Sequence, residues 1–322
     1  MPRETSFKTI VNALLDEATP FPARYLLRFS DLPPVDLKTL LKAWPQVAER
    51  RRRILLEDIE DLAEADNLLC FDDLARALLT DADAHVRVQS IRLLKECEDR
   101  KLIPVYSKFL EDEDIEVRAA AAGALGQFIY LGEIEELPAG TLGEMEEKLL
   151  AAATSAKPVL VRRRALESLG FSSRPEVPPL IEAAYRQKTP DWMVSALVAM
   201  GRSKDERWKK QVLSQLRAED EDVCAAAVRA AGELEMSSAR SILLDLLEDE
   251  EDGETRGEII WALSQIGGEG VRERLEELMD AEPDDEEAEF LEEALANLVF
   301  TEDMGHFELF DFDTSEDEED TP

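Results

Sequence analysis

Long apolar runs are missing from this chain. No stretch approaches the ~18 consecutive apolar residues that a membrane-spanning helix requires. Histidine is nearly absent: His85 and His306 are the two in 322 residues. That inventory excludes a histidine-rich metal centre, and each reads as a polar surface residue. Cysteine is scarce too. Cys70, Cys97 and Cys224 lie far apart with no Cys-x-x-Cys pair, which suits a reducing compartment and buried, inert thiols. Aromatics make up 6% of the chain. β-Branched and aromatic residues never alternate with polar ones over a convincing stretch, so strands find little support. A Gly-x-Ser-x-Gly elbow and a glycine-rich phosphate loop followed by Lys-Ser or Lys-Thr are both lacking. No catalytic residue, metal or cofactor is therefore expected.

Positive charge is also short. There are 37 Lys and Arg against 73 Asp and Glu, a net charge of −36. Residues 248–322 hold 30 of the acids and 3 of the bases, so most of the excess belongs to the C-terminal end. Such a surface repels phosphate backbones, which excludes nucleic acid as a partner. It suits a basic protein partner, or serves solubility alone. The run Arg50–Arg53 points in all directions around a helix and cannot form one flat basic stripe. Residues 1–8 lead into an amphipathic segment rather than a signal sequence. The expectation is a cytoplasmic monomer that does not contact membranes.

What the chain does have is internal repetition. Val117-Arg-Ala-Ala-Ala-Ala-Gly-Ala-Leu-Gly126 recurs at 161–170, 192–201 and 223–232, with weaker copies from Val86, Thr255 and Glu287. Successive starts are 31, 44, 31, 31, 32 and 32 residues apart. Within each copy the apolar positions +4, +7 and +8, such as Ala121, Ala124 and Leu125, form one helical stripe. Gly126, Gly170, Gly201 and Gly232 fall where a helix would stop on a left-handed residue. A second amphipathic segment follows, as in 177–184, 212–216 and 242–247. Acids before the next copy, such as Asp83, Asp114 and Asp220, are placed to cap a helix start.

The pattern Asp-x-x-Val-Arg-x-x-Ala-x-x-Ala-Leu-Gly, clearest at 114–126, resembles the short HEAT-like repeats first associated with phycobilisome lyases. The resemblance covers about 83–300. It implies an all-α superhelical solenoid of about seven helix pairs. Residues 1–82, which do not fit the repeat, are expected to form an N-terminal helical cap, and the acidic composition of 301–322 marks a disordered tail. The resemblance also implies that Arg87, Arg118, Arg162 and Arg256 pair with turn acids in a ladder, interrupted at Met193 and Cys224. Two enzyme classes resemble this fold. Deoxyhypusine hydroxylases need several His-Glu pairs around iron, and alkylpurine glycosylases need a basic concave face; neither is present.

Function is expected to be that of a protein-interaction scaffold, adaptor or assembly factor. The alternative is a bilin lyase-like enzyme or pigment-handling protein. Second helices of successive pairs should line a groove, which makes Tyr106, Lys108, Tyr185, Arg186, Trp208 and Lys209 candidate contacts. The 44-residue spacing inserts about 13 residues around 127–140. Its Phe128 and Tyr130 either meet a partner or extend the first helix and pack on the next repeat. Trp192 and Trp261 occupy apolar repeat positions and are expected in the core. In the tail, His306–Phe312 either folds back on the last helix or serves as a short motif through Phe310 and Phe312.

Overall fold

The computed structural model of the protein describes residues 6–249, 252–281, 283 and 285–310, with backbone alone at 249, 254, 285–286 and 300–310. Among these residues every regular element is helical. A first compact unit, Met1–Ser172, contains α1 (Phe7–Leu15), α2 (Pro34–Ala43), α3 (Glu49–Ala65), α4 (Asp72–Leu78), α5 (Ala84–Leu93), α6 (Leu102–Phe109), α7 (Ile115–Glu133), α8 (Ala139–Thr154) and α9 (Val159–Leu169). A second, Ser173–Pro322, contains α10 (Val177–Tyr185), α11 (Pro190–Arg202), α12 (Lys209–Leu213), α13 (Glu221–Glu233), α14 (Arg240–Asp249), α15 (Gly253–Ile266), α16 (Val271–Asp280) and α17 (Asp285–Phe310). In each unit the odd-numbered helices stack on one another: α3, α5, α7 and α9 in the first, and α11, α13, α15 and α17 in the second. Every even-numbered helix from α4 onward packs on the odd-numbered one that follows it. This is the double layer of an α–α solenoid.

The sequence repeat and the helices share one register. Each of the seven starts is the third residue of an odd-numbered helix, from Val86 in α5 to Glu287 in α17. The caps explain this constancy. Asp83, Asp114, Asp220 and Asp252 each accept a hydrogen bond from an amide in the first turn of α5, α7, α13 and α15. A carboxylate there satisfies donors that have no partner inside the helix.

The repeat glycines do something other than stop helices. Gly126, Gly201 and Gly232 lie within α7, α11 and α13, and Gly170 has a right-handed φ of −52°. Gly126, Gly201 and Gly232 mark where successive first-layer helices touch. A Cβ on Gly126 would stand 3.3 Å from the Ser168 Cα, and one on Gly232 2.8 Å from the Ala262 Cα. The helix ends are made instead by non-glycine residues in the left-handed region, including Glu135 (φ 65°), Lys204 (φ 50°) and Glu235 (φ 49°). After α13, the Met236 amide donates to the Ala231 carbonyl and the Glu235 amide to the Gly232 carbonyl, which is the closing pattern of such a turn.

The arginine ladder forms with more backbone in it than the resemblance implied. Arg87 is 7% exposed; it donates to Asp112 at 2.7 Å and to the carbonyls of Asp81 and Ala82. Arg256 pairs with Glu287 and donates to the Leu247 carbonyl. Arg118 and Arg162 donate to main-chain carbonyls of the preceding turn. At the interruption the Cys224 thiol bonds the Leu216 carbonyl at 3.1 Å. The cysteines are not the buried set expected: Cys70 is exposed, and Cys97 and Cys224 are half-buried.

At the N-terminal end, α3 packs on α5 as a first-layer helix, so the stack starts one pair earlier than the repeat in the sequence. One core cluster runs from Phe7, Ile10 and Phe29 through Trp44 and Leu55 to Val86. Three of the four arginines in 50–53 tie this region together. Arg51 donates to the carbonyls of Asp16 and Thr19, Arg52 bonds Asp81, and Arg53 bonds Asp83. At the other end α17 runs across residue 300 to Phe310 rather than folding back. Ser315–Asp320 lie outside the described residues.

Candidate functional site

Among the described residues, two clefts open between successive even-numbered helices. The larger, about 360 Å³, lies between α6 and α8 in the first unit, with Ile103, Pro104, Leu137 and Met145 as its apolar wall. Arg100, Glu144 and Lys148 set charges of both signs around it. The smaller, about 270 Å³, lies between α10 and α12 in the second unit and is lined by Pro178, Pro179, Glu182, Arg207, Trp208 and Gln211. Leu137 and Pro138 of the insertion line the first cleft. The extra residues lengthen α7 and α8 to 19 and 16 residues, and α8 begins only after Pro138.

The expected contact residues divide between surface and core. Lys108 is exposed on α6, and Arg186 is exposed at the end of α10, paired with Glu182. Half-buried Tyr185 shares hydrogen bonds with Ser214 and Gln215, and half-buried Lys209 bonds Glu206 at 2.6 Å. These last three sit near the smaller cleft; Lys108 belongs to the other unit. Tyr106 and Phe128 must be withdrawn as contacts. Both are fully buried, with ring centroids 6.3 Å apart where α6 meets α7. Trp208 must be withdrawn as well, because it is 4% exposed although it lines the smaller cleft. Tyr130 is 47% exposed on α7, with its ring 5.5 Å from that of Phe171. The insertion therefore extends the first helix, and Phe128 packs inside. Phe310 is described by its backbone alone, and Phe312 lies outside the described residues.

Burial shifts some titratable groups inside the fold toward their neutral forms. Burial pushes the Cys97 thiol up, although Arg76 donates to its sulfur at 2.7 Å. Burial likewise pushes the Tyr106 hydroxyl well above its ordinary range. His85 sits 3.0 Å from the Glu57 carboxylate, and His306 lies in the part of α17 described by backbone alone. Among the described residues no group of three His, Cys, Asp or Glu side chains is placed to hold a metal ion, and no helix is long and apolar enough to cross a membrane.

Sequence reasoning missed Arg100, Pro104, Thr141 and Lys148. The available signal was Pro104 in the first turn of a short helix, opposite an insertion carrying Pro138.

The family comparison falls on this double layer. HEAT repeats match at residues 71–139 and 209–296, which include both the α6–α8 connection and the C-terminal stack. These two segments match HEAT repeats. Among solved structures it is similar to YibA of E. coli, at 19% identity over 74% of this chain and 95% of that one, with a TM-score of 0.33. An engineered protein shares 18% identity over 91% and 88%, with a TM-score of 0.37. Human deoxyhypusine hydroxylase in complex with glycerol shares 17% over 81% and 95%, with a TM-score of 0.35. No curated protein matches the chain in sequence.

Proposed function

We propose that this HEAT-repeat chain is a monomeric, cytoplasmic adaptor or assembly factor that holds a partner protein on its even-numbered helices and has no catalytic activity. The observation that carries this reading is the α6–α8 cleft. Its apolar wall and mixed-charge rim have the composition of a small protein-binding pocket rather than of a reaction centre. The second cleft of the same kind, between α10 and α12, supports a binding layer that recurs with the repeat. The 31- and 32-residue spacings support placing these repeats with the short phycobilisome-lyase type. The partner is basic, as the net charge of −36 favours. Residues 301–322, with Phe310 and Phe312, tune its affinity electrostatically.

Affinity capture from the native host, with wild type and a Ser107→Trp variant, tests the reading. Ser107 lines the α6–α8 cleft, and an indole there fills it. Wild type should retain one partner in stoichiometric amount, while the variant melts at the same temperature and loses it. Equal capture by both chains argues against the cleft. A stoichiometric coloured ligand in natively purified protein would replace the reading with pigment handling.

A further inference from the structure

The odd-numbered layer presents a different surface near its C-terminal end. Trp44, Trp192 and Trp208 are buried, but Trp261 on α15 is 38% exposed, contrary to its expected place in the core. Phe290 on α17 is 40% exposed. Each ring is seated on a glycine of the preceding first-layer helix. A Cβ on Gly232 would come 2.7 Å from the Trp261 ring, and one on Gly257 3.2 Å from the Phe290 ring. Glycine lets each ring lie close to the neighbouring backbone while more than a third of it stays open. A cleft of about 220 Å³ lies between them, lined by Trp261, Gln265, Phe290, Glu293, Ala294 and Asn297.

Charge decides what such a cleft accepts. Glu289 and Glu293 are exposed one turn apart on α17, and neither forms an ion pair among the described residues. Glu258, one turn before Trp261, is paired with Arg229. With 30 acids and 3 bases in 248–322, the region attracts cations and repels acidic chains over a Debye length of ~8 Å. A second copy of this chain is disfavoured by the same sign of charge. So are residues 311–322, which hold seven acids and no base. A groove between two packed helices takes the ridge of a third helix.

We propose that the α15–α17 cleft docks a basic amphipathic helix of a partner protein, with a bulky apolar side chain between Trp261 and Phe290 and lysines or arginines against Glu289 and Glu293. The proposal shares with the functional reading a basic protein partner, and it uses the opposite helix layer.

A random library of helix-forming peptides, selected on the full chain and counter-selected on a Phe290→Ser/Glu293→Lys chain, tests it. Peptides held by wild type and released by the variant should be rich in Lys and Arg around an aromatic or leucine anchor. Because the other three tryptophans are buried, acrylamide quenching reports mainly on Trp261, and bound peptide should shield it. A Glu289→Lys/Glu293→Lys chain, altered only at exposed positions, should bind these peptides about tenfold more weakly, with the difference shrinking as salt rises. Ser107→Trp should bind them as wild type does, which separates this surface from the α6–α8 cleft. An empty selection, an acidic or neutral consensus, or a Trp261 left open to quencher in the complex overturns the proposal.

Discussion

A single added methyl group should have opposite effects at two glycines of the first helix layer. In a helix interior, Gly→Ala gains roughly 0.5–1 kcal/mol from backbone entropy alone. At Gly123 on α7 nothing lies within 4 Å of the position a Cβ would take, so Gly123→Ala keeps that gain. At Gly232 on α13 the same Cβ would stand 2.7 Å from the Trp261 ring and 2.8 Å from the Ala262 Cα. The half-exposed indole can swing aside, but the Ala262 backbone moves only if α15 separates from α13. Overpacking of this kind costs about 1–3 kcal/mol, which outweighs the entropic gain and leaves Gly232→Ala roughly 1 kcal/mol less stable than wild type. At about 2–4 °C per kcal/mol for chains of this order of size, the two variants should melt several degrees apart, on opposite sides of wild type. Stacked repeats depart from two-state unfolding, so the sign of each shift in far-UV circular dichroism is the test. If Gly232→Ala melts at or above Gly123→Ala, the close-approach role of the repeat glycine is refuted.

Leu125 is fully buried on α7, and Leu125→Ala should lose about 2–5 kcal/mol, whereas Glu116→Ala at an exposed first-turn position should stay within about 0.5 kcal/mol; equal melting temperatures would contradict the helix phase. Arg87→Met strips the buried partner from Asp112 and two carbonyls and should cost about 3–5 kcal/mol. Arg217→Met, which breaks an exposed pair with Asp245, should cost less than about 1 kcal/mol, and similar denaturation midpoints for the two would remove the ladder from the account. Burial pushes the Glu233 carboxyl up despite Arg202, Arg229 and Lys204 nearby. A raised carboxyl leaves full stability below the ordinary Glu value of about 4.3 and costs stability as pH rises through the folded value. Glu233→Gln should therefore be more stable than wild type at neutral pH, with the gap closing in acid; urea titrations showing a constant gap would contradict this.

The repeat was legible because its period, its Asp caps and its apolar stripe are all local, and local signals agree with one another in a stacked fold. Val86 through Glu287 therefore marked the helix starts with no shift. The glycines were misread for a non-local reason. A helix stop and a helix–helix contact both place glycine once per repeat, and only the neighbouring helix, some 30 residues on in the case of Gly232 and Ala262, tells them apart. The real stops were hidden because Glu135, Lys204 and Glu235 take left-handed angles without being glycine. Tyr106 and Trp208 failed as contacts because α6 is 8 residues long and Trp208 lies in the single 3-10 turn Glu206–Trp208 that precedes α12. On so short a helix a shift of one residue in its start turns a side chain from surface to core. Trp261 failed in the opposite direction, since an apolar repeat position is filled from one side only when a glycine brings the ring against the neighbouring backbone.

The central claim, that a partner protein lies along the even-numbered helices, is tested most directly by hydrogen exchange on the full chain with and without the partner captured from its native host. Slowed exchange in α6 and α8, and in α10 and α12, is the predicted result, with the buried first-layer amides unchanged. Protection confined to residues 1–82, or a complex that leaves all four of those helices exchanging as in the free chain, would contradict it.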